Sequence, residues 1–310
     1  LPADSEVIVT DFTFFASAST IVSAGLKPVF VDVSNETFQI DISKIEEKIT
    51  KNTKAIMPVH VYGHGSEIDK IIELAKKYNL KIIEDSAQVL GVSYCAESNC
   101  KSASCKPNNC SKKHFGTFGD FGVFSLYADK TITMGEGGII VTNSKKSYEK
   151  IQLLRNQGRL NSGTFIHDAI GMNFRITDLQ AAVGCAQLDR LNAVKIQRNE
   201  TYDKYMNELE DINEIGFMKV HKQSEFIPFR FPILVNDLDD VIRALEKNNI
   251  QTRRFFYPMS KQPPLKEFSN GICVNSNRLY DTGICLPIHS EVSDDDIKLI
   301  SNTLKKHYKN

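Results

Sequence analysis

Two segments carry side chains whose types and spacing suit chemistry. The first is Glu84-Asp-Ser-Ala-Gln88, directly after the apolar run Lys81-Ile-Ile. In an open α/β sheet, ligands bind beyond the carboxyl ends of the strands, so Asp85 would hold a carboxylate where a ligand sits. A carboxylate there can pair with a protonated pyridine nitrogen and keep that ring an electron sink. The commoner use of a strand-end Asp is to cap a helix. The second segment is Gly119-Asp-Phe-Gly-Val-Phe-Ser-Leu-Tyr-Ala-Asp-Lys130, running into Thr-Ile-Thr-Met-Gly-Glu-Gly-Gly138. An apolar strand here delivers Ser125 and, five residues on, a lysine at the edge of a Gly-rich turn. Partial burial lowers a lysine's pKa and makes its amine a usable Schiff-base nucleophile. Ser125 could donate to a phosphate. Taken singly, Lys130 reads equally well as an ordinary loop lysine; the combination is what points to a site.

These segments need a scaffold, and the first part of the chain supplies one. Short β-branched or apolar runs at Val7–Val9, Val29–Val31, Ala55–Val59, Lys81–Glu84, Phe121–Leu126 and Ile139–Val141 alternate with helical patterns, the signature of a parallel sheet covered on both faces. From Ser66 to Tyr78, Ile68, Ile71, Ile72 and Ala75 share one helical face, and Ser66 with Asp69 suggests the helix start. Thr177 with Gln180 opens a second helix that runs through Leu188 and Leu191 toward Leu209. The pattern then changes to a strand near Phe229–Val235, a helix over Leu238–Lys247, a short strand near Gln251 and a closing helix from Ser293, with Asp296 three residues on. We therefore expect a large domain over residues 1–205 and a smaller α+β domain over 206–310.

The totals exclude several classes of function. Lys plus Arg equals Asp plus Glu at 38 each, so no bulk field recruits nucleic acid or an anionic membrane. The 310-residue chain is 41% hydrophobic and 25% charged, ordinary for a globular protein. No apolar run approaches the roughly 18 residues that span a bilayer, and no signal-peptide layout is present, which leads to the expectation of a cytoplasmic protein. Of seven cysteines, Cys185, Cys273 and Cys285 are expected as reduced core residues. Cys95, Cys100, Cys105 and Cys110 recur every five residues in the Ser-, Lys- and Asn-rich segment 95–113, and no standard zinc signature has that spacing throughout. A surface insertion with incidental thiols fits best, a metal-stabilised loop comes second, and disulfides rank last in a reducing compartment.

Taken together, the motifs resemble those of the DegT/DnrJ/StrS-type sugar-nucleotide aminotransferases, which belong to the fold-type I pyridoxal-phosphate enzymes. The resemblance runs along nearly the whole chain: Val7-Ile-Val with Phe12-Thr-Phe14, Pro28-Val-Phe-Val-Asp32, Pro58-Val-His-Val-Tyr-Gly63, Glu84-Asp-Ser-Ala-Gln88, Gly119-Asp, Phe124-Ser through Lys130, Gly135-Glu-Gly-Gly138, Leu154-Arg-Asn156, Gly171-Met-Asn-Phe-Arg175 and Asp178-Leu-Gln-Ala-Ala182. It implies an aspartate-aminotransferase-like α/β large domain with a mainly parallel central sheet. It also implies that Lys130 holds pyridoxal 5'-phosphate as a Schiff base and moves the protons, that Asp85 pairs with the pyridine nitrogen, and that Gln88 contacts the phenolic oxygen. Phe14 would stack on the ring, Ser125 would bind the phosphate, and Asn173 would reach the phosphate site of the neighbouring subunit in a homodimer. Each residue also has a plainer use: Phe14 as core filler, Gln88 as a loop hydrogen-bonder, Asn173 in a turn.

Relatives with histidine in place of the lysine are sugar dehydratases, so Lys130 argues for transamination. Thr252-Arg-Arg-Phe-Phe-Tyr-Pro258, Gln262-Pro263, Leu286-Pro287 and Ala128-Asp-Lys-Thr-Ile-Thr133 resemble the branch that aminates C4 of nucleotide-linked 4-keto-6-deoxyhexoses, as perosamine synthases do. Arg253, Arg254 and Tyr257 would then contact the substrate; Arg254 stands where that branch usually has proline. Glutamate is the expected amino donor and 2-oxoglutarate its product. The family's earlier helix and Ser-Gly-Thr-like phosphate turn are not among these residues, as expected of either a fragment or a shortened relative; in a shortened relative, phosphate anchoring would fall on Ser125 and Asn173. Two other readings stand beside this one: a noncatalytic or impaired binding relative, and a lysine-retaining sugar dehydratase.

Overall fold

In the computed structural model, which describes residues 1–95, 112–160, 163 and 165–309, the six apolar runs of the first half become strands of one sheet. β1 (Glu6–Thr10), β2 (Lys27–Val31), β3 (Thr53–Met57) and β4 (Lys81–Asp85) are joined by β7 (Phe121–Ser125) and β8 (Gly138–Val141), in the order β2-β1-β3-β4-β7-β8. All neighbours run parallel except β8, which turns back against β7. Because the strands are parallel, β1, β3, β4 and β7 end on the same side of the sheet, where a ligand can meet several chain segments at once. A small hairpin of β5 (Ser93–Cys95) and β6 (Lys112–His114) stands apart.

The helices cover the sheet as the apolar pattern requires. α2 (Ile68–Tyr78) buries Ile68, Ile71 and Ala75 and stops at Asn79, whose left-handed backbone (φ 51°) closes the C-terminus. Its start differs from the sequence reading. Ser66 is buried and its backbone N–H donates to His60 Nδ1 at 3.1 Å, while Asp69 accepts from Tyr94 Oη at 2.7 Å, so tertiary partners take both halves of the expected capping pair. The expected cap at Thr177 does form reciprocally with Gln180 and opens α4 (Asp178–Asp189), and α5 (Leu191–Leu209) continues after a break at Arg190. α1 (Phe15–Ser23) and α3 (Lys145–Arg155) went unread in the sequence.

The C-terminal part builds a four-stranded antiparallel sheet from β9 (Gly216–Phe217), β10 (Phe231–Leu234), β11 (Arg253–Arg254) and β12 (Gly283–Leu286). α6 (Leu238–Glu246), α7 (Val274–Thr282) and α8 (Asp294–Lys309) pack around it, and Ser293 and Asp296 cap α8 reciprocally as expected. Its core takes in Tyr205 and Leu209 of α5, while Met218, Phe229, Phe255, Met259 and Cys285 are buried in one cluster with Val7, Val9 and Phe12. The two parts therefore share apolar surface.

Asp32 reinforces that junction. Its carboxylate accepts from Asn275 N at 3.0 Å and Ser276 N at 2.9 Å at the start of α7, and from Lys44 Nζ at 3.1 Å. Burial by itself would raise its pKa, but these donors overturn that and hold it below the ordinary carboxylate value. A depressed folded pKa means the contribution is fully present above the unfolded value of about 3.9 and is lost as pH falls through the folded one. We expect Asp32→Ala to cost on the order of 2–3 kcal/mol in denaturant unfolding at pH 7, and less at pH 3. A loss that is equal at both pH values would contradict the charge-based account.

The cysteine expectations need correction. Cys95 is disulfide-bonded, the reading ranked last, so at this position neither an incidental free thiol nor a metal ligand stands. Cys100, Cys105 and Cys110 lie outside the described residues, among which no cluster of three metal-ligating side chains occurs. Cys273 and Cys285 are buried free thiols as expected, whereas Cys185 is free but exposed, because α4 buries none of its residues.

Candidate active site

A cleft of about 880 Å³ opens at the carboxyl ends of β1, β3, β4 and β7, where the small sheet meets the large one. Phe14, Asp85, Gln88, Ser125, Lys130, Arg253 and Arg254 all line it. The chain brings these together from four separate segments. Two of the expected residues lie elsewhere. Tyr257 sits outside the lining with its ring edge-on to Tyr280 at 5.0 Å, so the substrate contact read for it has no support in the geometry. Asn173 is exposed, bridges to Asn156 and accepts from Arg175 Nε at 2.9 Å, away from this chain's own cleft.

Strand alternation explains why Asp85 faces the cleft. Successive side chains of β4 point to opposite faces, so Ile83 and Asp85 line the cleft while Glu84 is turned into the interior. Both oxygens of Asp85 are held: Oδ2 accepts from Ser17 Oγ at 2.7 Å and Oδ1 from Ala87 N at 3.1 Å. Ser17 in turn is 2.9 Å from Thr13 Oγ1, so the first turn of α1 steers the carboxylate. Gln88 Oε1 accepts from Tyr62 N at 2.9 Å, which leaves its NH₂ as the donor end.

Glu84, behind the sheet, was not singled out by its sequence position. Its oxygens accept from Gly116 N (2.8 Å), Phe118 N (2.7 Å) and Gly119 N (2.7 Å), and Oε2 lies 3.3 Å from His60 Nε2. Both side chains are fully buried. The carboxylate thus fixes the turn that leads into β7 and, through it, Ser125 and Lys130.

Ser125 ends β7 opposite Gly138, and its Oγ accepts from Tyr127 N at 3.3 Å, leaving the hydroxyl proton to donate outward. The turn that follows places Lys130 Nζ over the Phe229 ring, 4.9 Å from its centroid. Burial pushes the Lys130 pKa below the ordinary lysine value, Arg230 and Arg253 push the same way, and Asp129 and Asp85 only partly oppose them.

The small sheet contributes cations that composition did not reveal. Arg230 and Arg253 both donate to Asp129 Oδ2, at 2.6 and 2.9 Å, and Arg254 pairs with Asp239. Arg198 of α5 donates to the carbonyls of Pro228 and Phe229, which fixes the segment carrying Phe229 and Arg230; burial pushes its pKa down to about 10. That segment comes close because Gly63 lets it. A Cβ at Gly63, whose φ is +99°, would meet the Ile227 carbonyl oxygen at 1.9 Å, and Ile227 N donates to Gly63 O. Of these residues, Arg198 and Arg230 carried no local sequence signal, and Asp129 entered only as part of the Ala128–Thr133 motif.

Lys130 and the strand-end Asp85 line one cleft at the carboxyl ends of a mainly parallel sheet, an arrangement consistent with the fold-type I class of pyridoxal-phosphate enzymes. The chain belongs to the DegT/DnrJ/EryC1/StrS aminotransferase family, whose model matches residues 2–305. It is 34% identical over 312 residues to the GDP-perosamine synthase of Vibrio cholerae, covering 98% of this chain and 80% of that one. It is 35% identical over 315 residues to the dTDP-4-amino-4,6-dideoxy-D-glucose transaminase of Shigella dysenteriae, covering 99% and 80%. Among solved structures, Helicobacter pylori PseC, an aminotransferase involved in the biosynthesis of pseudoaminic acid, matches with a TM-score of 0.88 at 26% identity over 100% of this chain and 81% of that one. The S. venezuelae DesV structure, at 24% identity, shares the fold with a TM-score of 0.90 over 100% and 80%.

Proposed function

We propose that this aminotransferase uses pyridoxal 5'-phosphate to move an amino group from glutamate to C4 of a nucleotide-linked 4-keto-6-deoxyhexose, releasing 2-oxoglutarate. The observation that carries the reading is the convergence of Lys130, Asp85, Gln88, Ser125 and Phe14 on one cleft. The donor set fits the cofactor: a fixed carboxylate for a ring nitrogen, a hydroxyl with its proton to give to a phosphate, a carboxamide NH₂ for an oxygen, and a ring of Phe14 that is 64% exposed and available for stacking. When bound, the cofactor supplies an electron sink that stabilises a carbanion at the substrate.

The chain's own residues do the rest. Lys130 Nζ takes and returns the proton, and burial weakens its basicity in the direction that favours giving the proton back. Asp85 would hold a positive ring nitrogen of the bound cofactor. Arg253 and Arg254 present guanidiniums toward the anionic part of a sugar nucleotide. The C4 choice and the deoxyhexose class rest on the similarity to the two sugar-nucleotide enzymes of V. cholerae and S. dysenteriae.

We also propose a homodimer. Phe165, Ile170 and Leu179 are 90%, 97% and 82% exposed, and all of α4 is unburied, an apolar expanse of the kind a partner covers. Asn173 lies in this region, where a second copy could receive it. Among the described residues no helix is long and apolar enough to cross a membrane.

The test is to incubate the protein with pyridoxal phosphate, glutamate and a panel of 4-keto-6-deoxy sugar nucleotides, following 2-oxoglutarate and product mass. A product that gains nitrogen in step with 2-oxoglutarate is expected. A product that has lost oxygen without gaining nitrogen would replace transamination by elimination.

A further inference from the structure

We propose that Asp129 is a positioning residue that sets the proton balance of Lys130: by drawing Arg230 and Arg253 onto one carboxylate oxygen, it supplies the counter-charge for two guanidiniums beside the lysine. The inference rests on Lys130 being the working lysine of the cleft.

The geometry carries it. Asp129 immediately precedes Lys130, and its Oδ2 accepts from Arg230 at 2.6 Å and Arg253 at 2.9 Å. Arg230 Cζ lies 4.6 Å from the centroid of the Phe229 ring, and Lys130 Nζ lies 4.9 Å from that same centroid. Two cations thus share one aromatic ring, and the electrostatic attraction of a ring quadrupole offsets only part of their mutual repulsion. The charged groups facing Lys130 are Asp129 from its own turn, Asp85 from β4, and Arg230 and Arg253 from the small sheet, with Arg198 of α5 acting on Arg230 and Asp129.

The same carboxylate also ties the turn bearing Lys130 to the small domain, since Arg253 belongs to β11 and Arg230 directly precedes β10. Asp129 is held below the ordinary carboxylate value. Burial alone would raise it, and Arg230, Arg253 and Lys130 together outweigh that effect. It therefore stays charged across the range in which the lysine works. Arg230 and Arg253 each spend one N–H on Asp129 and keep others for an incoming anion.

The sign of the effect follows from charge alone. Removing Asp129's charge leaves two uncompensated guanidiniums and favours the neutral amine of Lys130, which lowers its pKa. Removing one guanidinium does the opposite. Both variants can be read in the cofactor-free protein by ¹³C-methylating the lysines and following the Lys130 resonance, assigned by its absence in Lys130→Ala, against pH. Asp129→Asn is expected to shift the midpoint down by roughly one unit, Arg253→Gln to shift it up by a smaller amount, and Asp129→Glu to restore the wild-type value.

Opposite signs for the two variants, with rescue by Glu, cannot arise from a merely structural role. Shifts of the same sign, or an unmoved midpoint in Asp129→Asn, overturn the proposal; if Asp129→Asn does not fold, the upward shift in Arg253→Gln decides. Because the readout needs no turnover, it stays separate from the transamination assay. Wild-type protein that titrates as expected but transfers no amino group would count against the proposed function alone.

Discussion

Lys130→Ala is expected to lose amino transfer by at least 10²–10⁴-fold, the range by which a positioned proton-transfer group accelerates a reaction. Both the attacking amine and the proton carrier vanish with this one side chain, so the losses compound and the upper end is the better expectation. The visible absorbance of lysine-bound pyridoxal phosphate should disappear with it. The fold should not weaken through charge. Lys130's folded pKa is lowered, so the folded chain holds its ammonium less willingly than the unfolded chain does, and deleting it removes no stabilising charge. Initial rates with glutamate, measured beside a thermal melt, decide the matter: a variant that melts normally and keeps a tenth of the wild-type rate would remove Lys130 from the centre of the chemistry.

The largest effect on stability is expected at Glu84, which touches no substrate. Its carboxylate accepts from three backbone N–H groups and faces His60. His60 Nδ1 already accepts from Ser66 N, so the ring proton sits on Nε2 and points at Glu84. In Glu84→Gln one acceptor oxygen becomes an NH₂ that meets donors. The pair cannot be rescued by a change of histidine tautomer, because Nδ1 is committed as an acceptor.

Breaking a fully buried, hydrogen-bonded charge in this way costs about 3–5 kcal/mol, a large fraction of a typical folding free energy. Burial by itself would raise the Glu84 pKa, but His60 and the backbone donors hold it below the ordinary value. The contribution is thus present above the unfolded pKa of about 4.3 and lost as pH falls through the folded value, so the variant should also lack part of the wild type's acid sensitivity. Denaturant unfolding at pH 7 and pH 4 tests both statements, and a loss under 1 kcal/mol at pH 7 would show that the turn at 116–119 does not depend on this carboxylate.

Glu84 and Asp85 show how adjacent residues can be legible to different degrees. Asp85 was readable because an apolar strand ended on it, and in a parallel sheet strand ends face the ligand. Glu84 was not, because only the folded chain brings His60 from after β3 and the amides of 116–119 against its other face. Lys130 and Ser125 were readable for the reason that applied to Asp85, since each lies on or just after an apolar run next to a Gly-rich turn. Ser66 shows the reverse case. Its spacing to Asp69 is that of a helix cap, but His60 and Tyr94 compete for the same groups and take them.

By itself the sequence determined the strands of the main sheet, the caps at Thr177 and Ser293 and the residues at strand ends, because these follow from side-chain period and from hydrogen bonds between near neighbours; the family came from the resemblance of its motifs. The tertiary structure alone decided that Arg230 and Arg253 meet on Asp129, that Tyr257 lies outside the cleft lining, that Cys185 is exposed on α4, and that Cys95 is engaged in a disulfide. The first of these depends on a contact between residues 124 positions apart, Asp129 with Arg253, and a local pattern carries no information about which distant charge will arrive. The proton balance of Lys130, which began as one lysine beside a Gly-rich turn, is set by that long-range pairing.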